Sequence, residues 1–171
     1  MLRHFETALR KFPFSKLAQA ESLARLYAVS YSEPPLLEMP LAPPPDPTLV
    51  TSAAQEFLHD DICLQLETFW DLWKRDSEWK LEPARVQLAC FGPAFEDAEE
   101  GESLRVDFGL ETWFLPQSGE GMAMVRANIQ SLLRLVHDLD DVLPVERRML
   151  QSESGENFAD KLQAALRDGG S

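Results

Sequence analysis

Residues 33–47 read EPPLLEMPLAPPPDP and hold most of the chain's 12 prolines. Proline fixes its own φ and lacks the N–H donor that a helix or a strand ladder needs. No regular element is therefore expected to run through this stretch, which separates a short N-terminal part from a long C-terminal one. Leu36, Leu37, Met39 and Leu41 lie between the prolines. Large apolar side chains there favour an ordered connection packed on its own domain over a free polyproline ligand. A chain of 171 residues can bury a core without staples, so residues 1–171 are read as a single domain.

On either side of the prolines the apolar spacing sets the expected elements. Leu2, Phe5, Leu9 and Phe12 recur at helical intervals, and Pro13 stops the helix they define. Tyr27, Val29 and Tyr31 alternate with Ala28 and Ser30, which predicts a strand over about 24–32 and leaves 16–26 open between helix and strand. Ser52 to Gln55 has the form of a capping box. A helix is predicted from there to about Arg75, with Ala54, Leu58, Ile62, Leu66, Phe69 and Trp73 on its apolar stripe and Glu56, Asp60, Glu67, Asp71 and Lys74 opposite. Val86, Leu88 and Cys90 alternate in ARVQLACF, and Leu104, Val106, Phe108, Leu110 and Phe114 do so across 104–115. The acidic, turn-prone EDAEEGES joins these two, as between antiparallel strands. Beyond PQSGEG a long helix is marked by Met122, Val125, Ile129, Leu132, Leu133, Val136 and Leu143. A last helix over 155–168 carries Phe158, Leu162, Ala165 and Leu166. This order predicts an α+β domain in which a small antiparallel sheet of about three strands is covered by long amphipathic helices.

Charge and cysteine content narrow the function. The net charge is −13. Residues 1–27 carry five basic and two acidic side chains, so the remainder holds 11 of the 16 basic and 27 of the 29 acidic ones, a balance of −16. Such a surface repels phosphate backbones, so no nucleic-acid partner is expected. No apolar run is long enough to span a membrane and the N-terminus lacks a signal-peptide pattern, so neither a membrane partner nor secretion is expected. Cys63 and Cys90 lie far apart outside any CxxC pattern and read as small buried hydrophobes in a reducing cytoplasm.

Two polar clusters invite a metal reading. EFLHDDICLQLETFW spans 56–70, and LVHDLDD spans 135–141. On a helix only Glu56, His59 and Cys63 would converge in the first cluster, and His137 with Asp141 in the second. HExxH is absent, as are paired cysteines. The same letters serve as wet helix edges, and no metal or other cofactor is expected. There is no GxSxG elbow, phosphate loop or dinucleotide fingerprint. The favoured expectation is a non-catalytic, adaptor- or chaperone-like domain that binds a protein, with a homodimer slightly preferred. Trp113 and Leu115, on the polar face of the long strand, are its interface candidates. The alternative is a metal-binding protein or enzyme using His59, His137 and neighbouring acids. In bulk (small, acidic, α+β) the chain is similar to type III secretion chaperones, a resemblance that implies capture of unfolded segments of a partner.

Overall fold

The computed structural model describes residues 1–109, 113–115, 121–149, 151, 164 and 167. In chain order the elements are α1 (Leu2–Lys11), β1 (Ser22–Ala28), β2 (Leu37–Leu41), α2 (Pro47–Ser52), a 3₁₀ turn (Gln55–Phe57), β3 (Ile62–Arg75), β4 (Trp79–Phe91), β5 (Leu104–Asp107) and α3 (Met122–Val142). The five strands form one antiparallel sheet in the order β2-β1-β3-β4-β5. This corrects the expected three-stranded sheet under long helices. The C-terminal helix expected over 155–168 falls almost wholly outside the described residues.

The correction turns on residues 52–75. Leu58, Ile62, Leu66, Phe69 and Trp73 do recur at helical spacing, but Ile62, Leu64, Leu66, Thr68, Trp70 and Leu72 also alternate perfectly, and all six are buried. Strand pairing wins because β1 and β4 flank the segment and take up its backbone groups. Residues richest in aromatic and β-branched side chains, such as Thr68, Phe69 and Trp70, also suit the pleat better than a helix. The helix nearby starts earlier than the capping-box reading placed it. The Asp46 carboxylate accepts from the Thr48 N–H at 2.9 Å, Pro47 stands in the first turn, and Ser52 is the last helical residue. The proline-rich segment contributes an edge strand, β2, with Pro40 in it, where no inner neighbour on the far side needs its missing donor.

By backbone contacts the chain divides into two compact units, one of Met1–Asp71 with Pro83–Phe108 and one of Leu72–Glu82 with Gly109–Ser171. In the first, the register pairs Ala24 with Leu66 and Leu26 with Leu64. Those side chains therefore share a face with Val86, Leu88 and Cys90 of β4, all buried. Phe12, at the end of α1, meets Trp70 of the same face edge-on with ring centroids 5.9 Å apart. Phe5, Ala8 and Leu9 of α1 are buried as its stripe predicts, and Phe12 turns extended (φ −66°, ψ 131°) before Pro13. Burying each such Leu or Phe is worth about 1.5–3 kcal/mol. α1 is clasped to α2 by polar bonds: Arg10 donates to Glu6 at 2.6 Å and to Thr48 at 2.8 Å, and Thr51 donates to Glu6 at 3.3 Å. Chiefly through Arg10, the Glu6 carboxyl is held below its ordinary range.

In the second unit, α3 buries Val125, Asn128, Ile129, Leu132 and Leu135, while Leu133, expected inward, is exposed. Asn128 acts as a substitute peptide. Its side-chain oxygen accepts from the Trp73 N–H at 2.8 Å, and its amide donates to the carbonyls of Trp73 and Trp113, each at 2.8 Å. A buried amide with every one of these bonds made locks the helix to the end of β3. Gly121 begins α3 at φ +79°, and a Cβ there would stand 2.2 Å from Trp79 Nε1, so a side chain is excluded twice over.

Candidate functional site

The second face of the sheet in the first unit is where chemistry gathers. Alternation places Leu23, Arg25 and Tyr27 of β1, Glu38 and Pro40 of β2, Cys63, Gln65, Glu67 and Phe69 of β3, and Arg105 and Asp107 of β5 on it. Arg85, Gln87, Ala89 and Phe91 of β4 join them. One end of this face is covered and the other is open.

The covered end lies under the connection from β4 to β5. Phe95 stacks on Phe91 (5.7 Å) and meets Tyr31 edge-on (5.0 Å), and Tyr31 meets Tyr27 edge-on (5.0 Å). Backbone bonds fasten the connection: Gly92 N to Ile62 O and Ala94 N to Asp60 O at 2.8 Å, and Glu96 N to Val29 O at 2.9 Å. A Cβ on Gly92 would lie 2.3 Å from the Asp60 carbonyl oxygen, so glycine is required for the crossing. Val29 sits at φ +70°, an unfavourable region for a β-branched residue, and is held there by bonds from both its N–H and its carbonyl. Arg105 lies over the Phe91 ring at 4.9 Å and makes a two-pronged ion pair with Glu102 at 2.7 and 2.6 Å. That pair raises the Arg105 pKa, against the opposing effect of burial.

Cys63 is enclosed here, 3.3 Å from the Tyr31 hydroxyl. Burial pushes its thiol up to about 11, outweighing the Tyr31 contact, and pushes the Tyr31 hydroxyl upward as well. Cys90 is driven higher still, to about 12, by burial. Neither thiol is a thiolate at neutral pH, so neither is a ready nucleophile or metal ligand. Both are free and lie on opposite faces of the sheet, which keeps them from pairing with each other.

The open end carries a ladder of charges across four strands. Arg25 donates to Glu38 at 3.2 Å and lies 3.7 Å from Glu67, and Glu67 pairs with Arg85 at 3.3 Å. Gln65 donates to Gln87 between them at 3.5 Å, and Arg85 stands 6.0 Å from the Phe69 ring. The inner pair is tucked in, with the Arg25 and Glu67 side chains 24% and 19% exposed, whereas Glu38 and Arg85 are 54% and 66% exposed. Leu23 and Phe69 are half-buried among them.

The residues singled out from sequence are dispersed. Glu56 is exposed on the 3₁₀ turn, His59 is exposed in the loop before β3, and Cys63 is buried within β3, so no helix brings the three together. His137 and Asp141 form an exposed i,i+4 pair at 3.3 Å on α3. Among the described residues no group of three or more His, Cys, Asp or Glu is placed to hold an ion. Trp113 and Leu115 do not lie on a strand, because β5 ends at Asp107 and Gly109 turns the chain at φ +81°. This removes the long strand on which an exposed Trp113 patch was expected. Both residues are half-buried, with the Lys74 ammonium 4.7 Å from the Trp113 ring. Sequence reasoning missed the ladder because it read Glu67 as the wet side of a helix. The available signal was the alternation of Gln65 and Glu67 with buried Leu64, Leu66 and Thr68.

Comparison with known protein families, with characterised proteins and with solved structures finds no match. No helix among the described residues is long and apolar enough to cross a membrane.

Proposed function

We propose that this chain is a non-catalytic protein-binding domain of the cytoplasm, and that it binds through the open half of the sheet's second face. The observation that carries the reading is the ladder from Glu38 through Arg25 and Glu67 to Arg85. Side chains that hold one another in place across four strands form a preorganised, geometrically fixed charge pattern, and fixed charge patterns confer register and specificity on interfaces more than raw affinity. Half-buried Leu23 and Phe69 among the charges supply apolar area to cover. Two buried, neutral, unpaired thiols suit a reducing compartment.

The test is site-specific photo-crosslinking in cells, with the reactive side chain at Gln87 on the open face or at Glu56 on the exposed 3₁₀ turn. Discrete protein adducts are expected from Gln87, and Arg25→Glu should abolish them while the circular dichroism of the purified protein stays unchanged. Adducts from Glu56 with none from Gln87 would reject the reading.

A further inference from the structure

We infer that the occupant of the open face is a second copy of this chain, packed sheet to sheet about a two-fold axis. The inference rests on the binding reading above and names its partner. Taken one residue per strand across β2, β1, β3, β4 and β5, the ladder of the open half runs Glu38, Arg25, Glu67, Arg85 and Asp107, so its sign alternates at every step. Asp71, further along β3 on this face, is engaged by Ser15 and the Lys16 N–H, and Arg105 by Glu102. An alternating row is complementary to itself once it is turned around and displaced by one strand. A two-fold axis lying in the interface and running roughly along the strands between β1 and β3 does this. It sets Arg25 against the partner's Glu67 and Glu38 against the partner's Arg85, and the symmetry makes each contact twice. Asp107 then overhangs the edge of the other copy.

Charge explains why this face is the one to use. At −13 overall the chain repels its own copies over most of its surface. On the open face four carboxylates, Asp71 included, meet two guanidiniums, a balance of −2, and the four ladder charges that face one another across the axis are neutral together. Leu23, Pro40 and Phe69 lie in the same surface, so closing the two sheets also buries apolar area between the charges. The ion pairs within each chain persist in the dimer, because every Arg stays beside its own Glu while gaining one from the other copy.

The experiment uses the full chain and the two most exposed members of the ladder, whose replacement leaves the core untouched. Sedimentation equilibrium across the micromolar range should show wild-type protein in monomer–dimer equilibrium. Arg85→Glu places two acids against each other at both symmetric contacts, and Glu38→Arg places two guanidiniums there. Each variant alone should dimerise about tenfold more weakly or worse. Mixed in equal amounts they should recover the wild-type association, because the reversed pairs now match across the interface. Either a monomeric wild type or a wild-type dimer that both substitutions leave intact would overturn the inference. If the wild type is monomeric while Gln87 still cross-links to a different protein in cells, the dimer falls and the binding reading stands.

Discussion

The two faces of the sheet are built from the same strands, yet they solve different problems. On the face toward α1, alternate positions of β1, β3 and β4 are filled with Ala24, Leu26, Leu64, Leu66, Val86 and Leu88, none more than 2% exposed. On the opposite face the same strands carry buried Cys63 and Ala89 at one end, and Arg25, Gln65, Glu67, Arg85 and Gln87 at the other. The difference follows the cover. Where the Gly92–Ser103 connection crosses, the strands offer small or aromatic side chains, and where none of the described residues crosses they offer charges that neutralise their neighbours. An antiparallel sheet tolerates one wet face, and this one divides that face in two.

The largest expected effect tests whether the covered end is as much a core as the face toward α1. Phe95→Ala removes a ring that is 3% exposed and packs on both Phe91 and Tyr31. It should cost about 3–5 kcal/mol, and Leu66→Ala on the other face about 2–5 kcal/mol, through lost burial and the cavity left behind. Denaturant unfolding measures both. A cost below about 1 kcal/mol for Phe95→Ala would mean that the connection is a loose flap and the face open along its whole length. Glu67→Ala, one residue from Leu66 but in the ladder, should cost only about 1 kcal/mol or less, because its two ion pairs are partly solvated. A loss as large as that from Leu66→Ala would erase the distinction between the faces.

How far this division could be read in advance depended on which periodicities were unambiguous. The stripe of Phe5, Leu9 and Phe12 ended by Pro13 fits only a helix, and it is one. Val86, Leu88 and Cys90 fit only a strand and lie inward as expected. Residues 58–75 satisfy both periods, and a capping-box pattern at Ser52 tipped the choice the wrong way, since local propensity could not register that β1 and β4 would pair on either side. Pro40 argued against any strand in 33–47 because the rule excluding proline holds for inner strands and relaxes at an edge. The ladder was illegible for a different reason: Glu38, Arg25, Glu67 and Arg85 come from four strands, and only the register makes them neighbours. Asn128 gave no signal at all, as an asparagine amid an apolar helix says nothing about the strand edge it will cap.

The smallest effect concerns the thiol that the covered end encloses. A cysteine in an unfolded chain ionises near about 8.5, whereas burial pushes Cys63 up to about 11 and Cys90 up to about 12. For an acid whose folded pKa is raised, the protonated form is the one folding favours. Its stabilising contribution is fully present below the unfolded value and is lost as pH rises from there through 11. Native protein should therefore react slowly with iodoacetamide at pH 8.5, with labelling at Cys63 accelerating only toward pH 11, as peptide mapping by mass spectrometry would show. Two substitutions identify the cause. Tyr31→Phe removes the hydroxyl contact but keeps a ring packed against the Cys63, Ala89, Phe91 and Phe95 cluster, so labelling should stay slow. Phe95→Ala opens the cover while leaving the hydroxyl in place, so labelling at pH 8.5 should quicken. The reverse order of effects would assign the protection to the Tyr31–Cys63 contact rather than to the connection that roofs this end of the face.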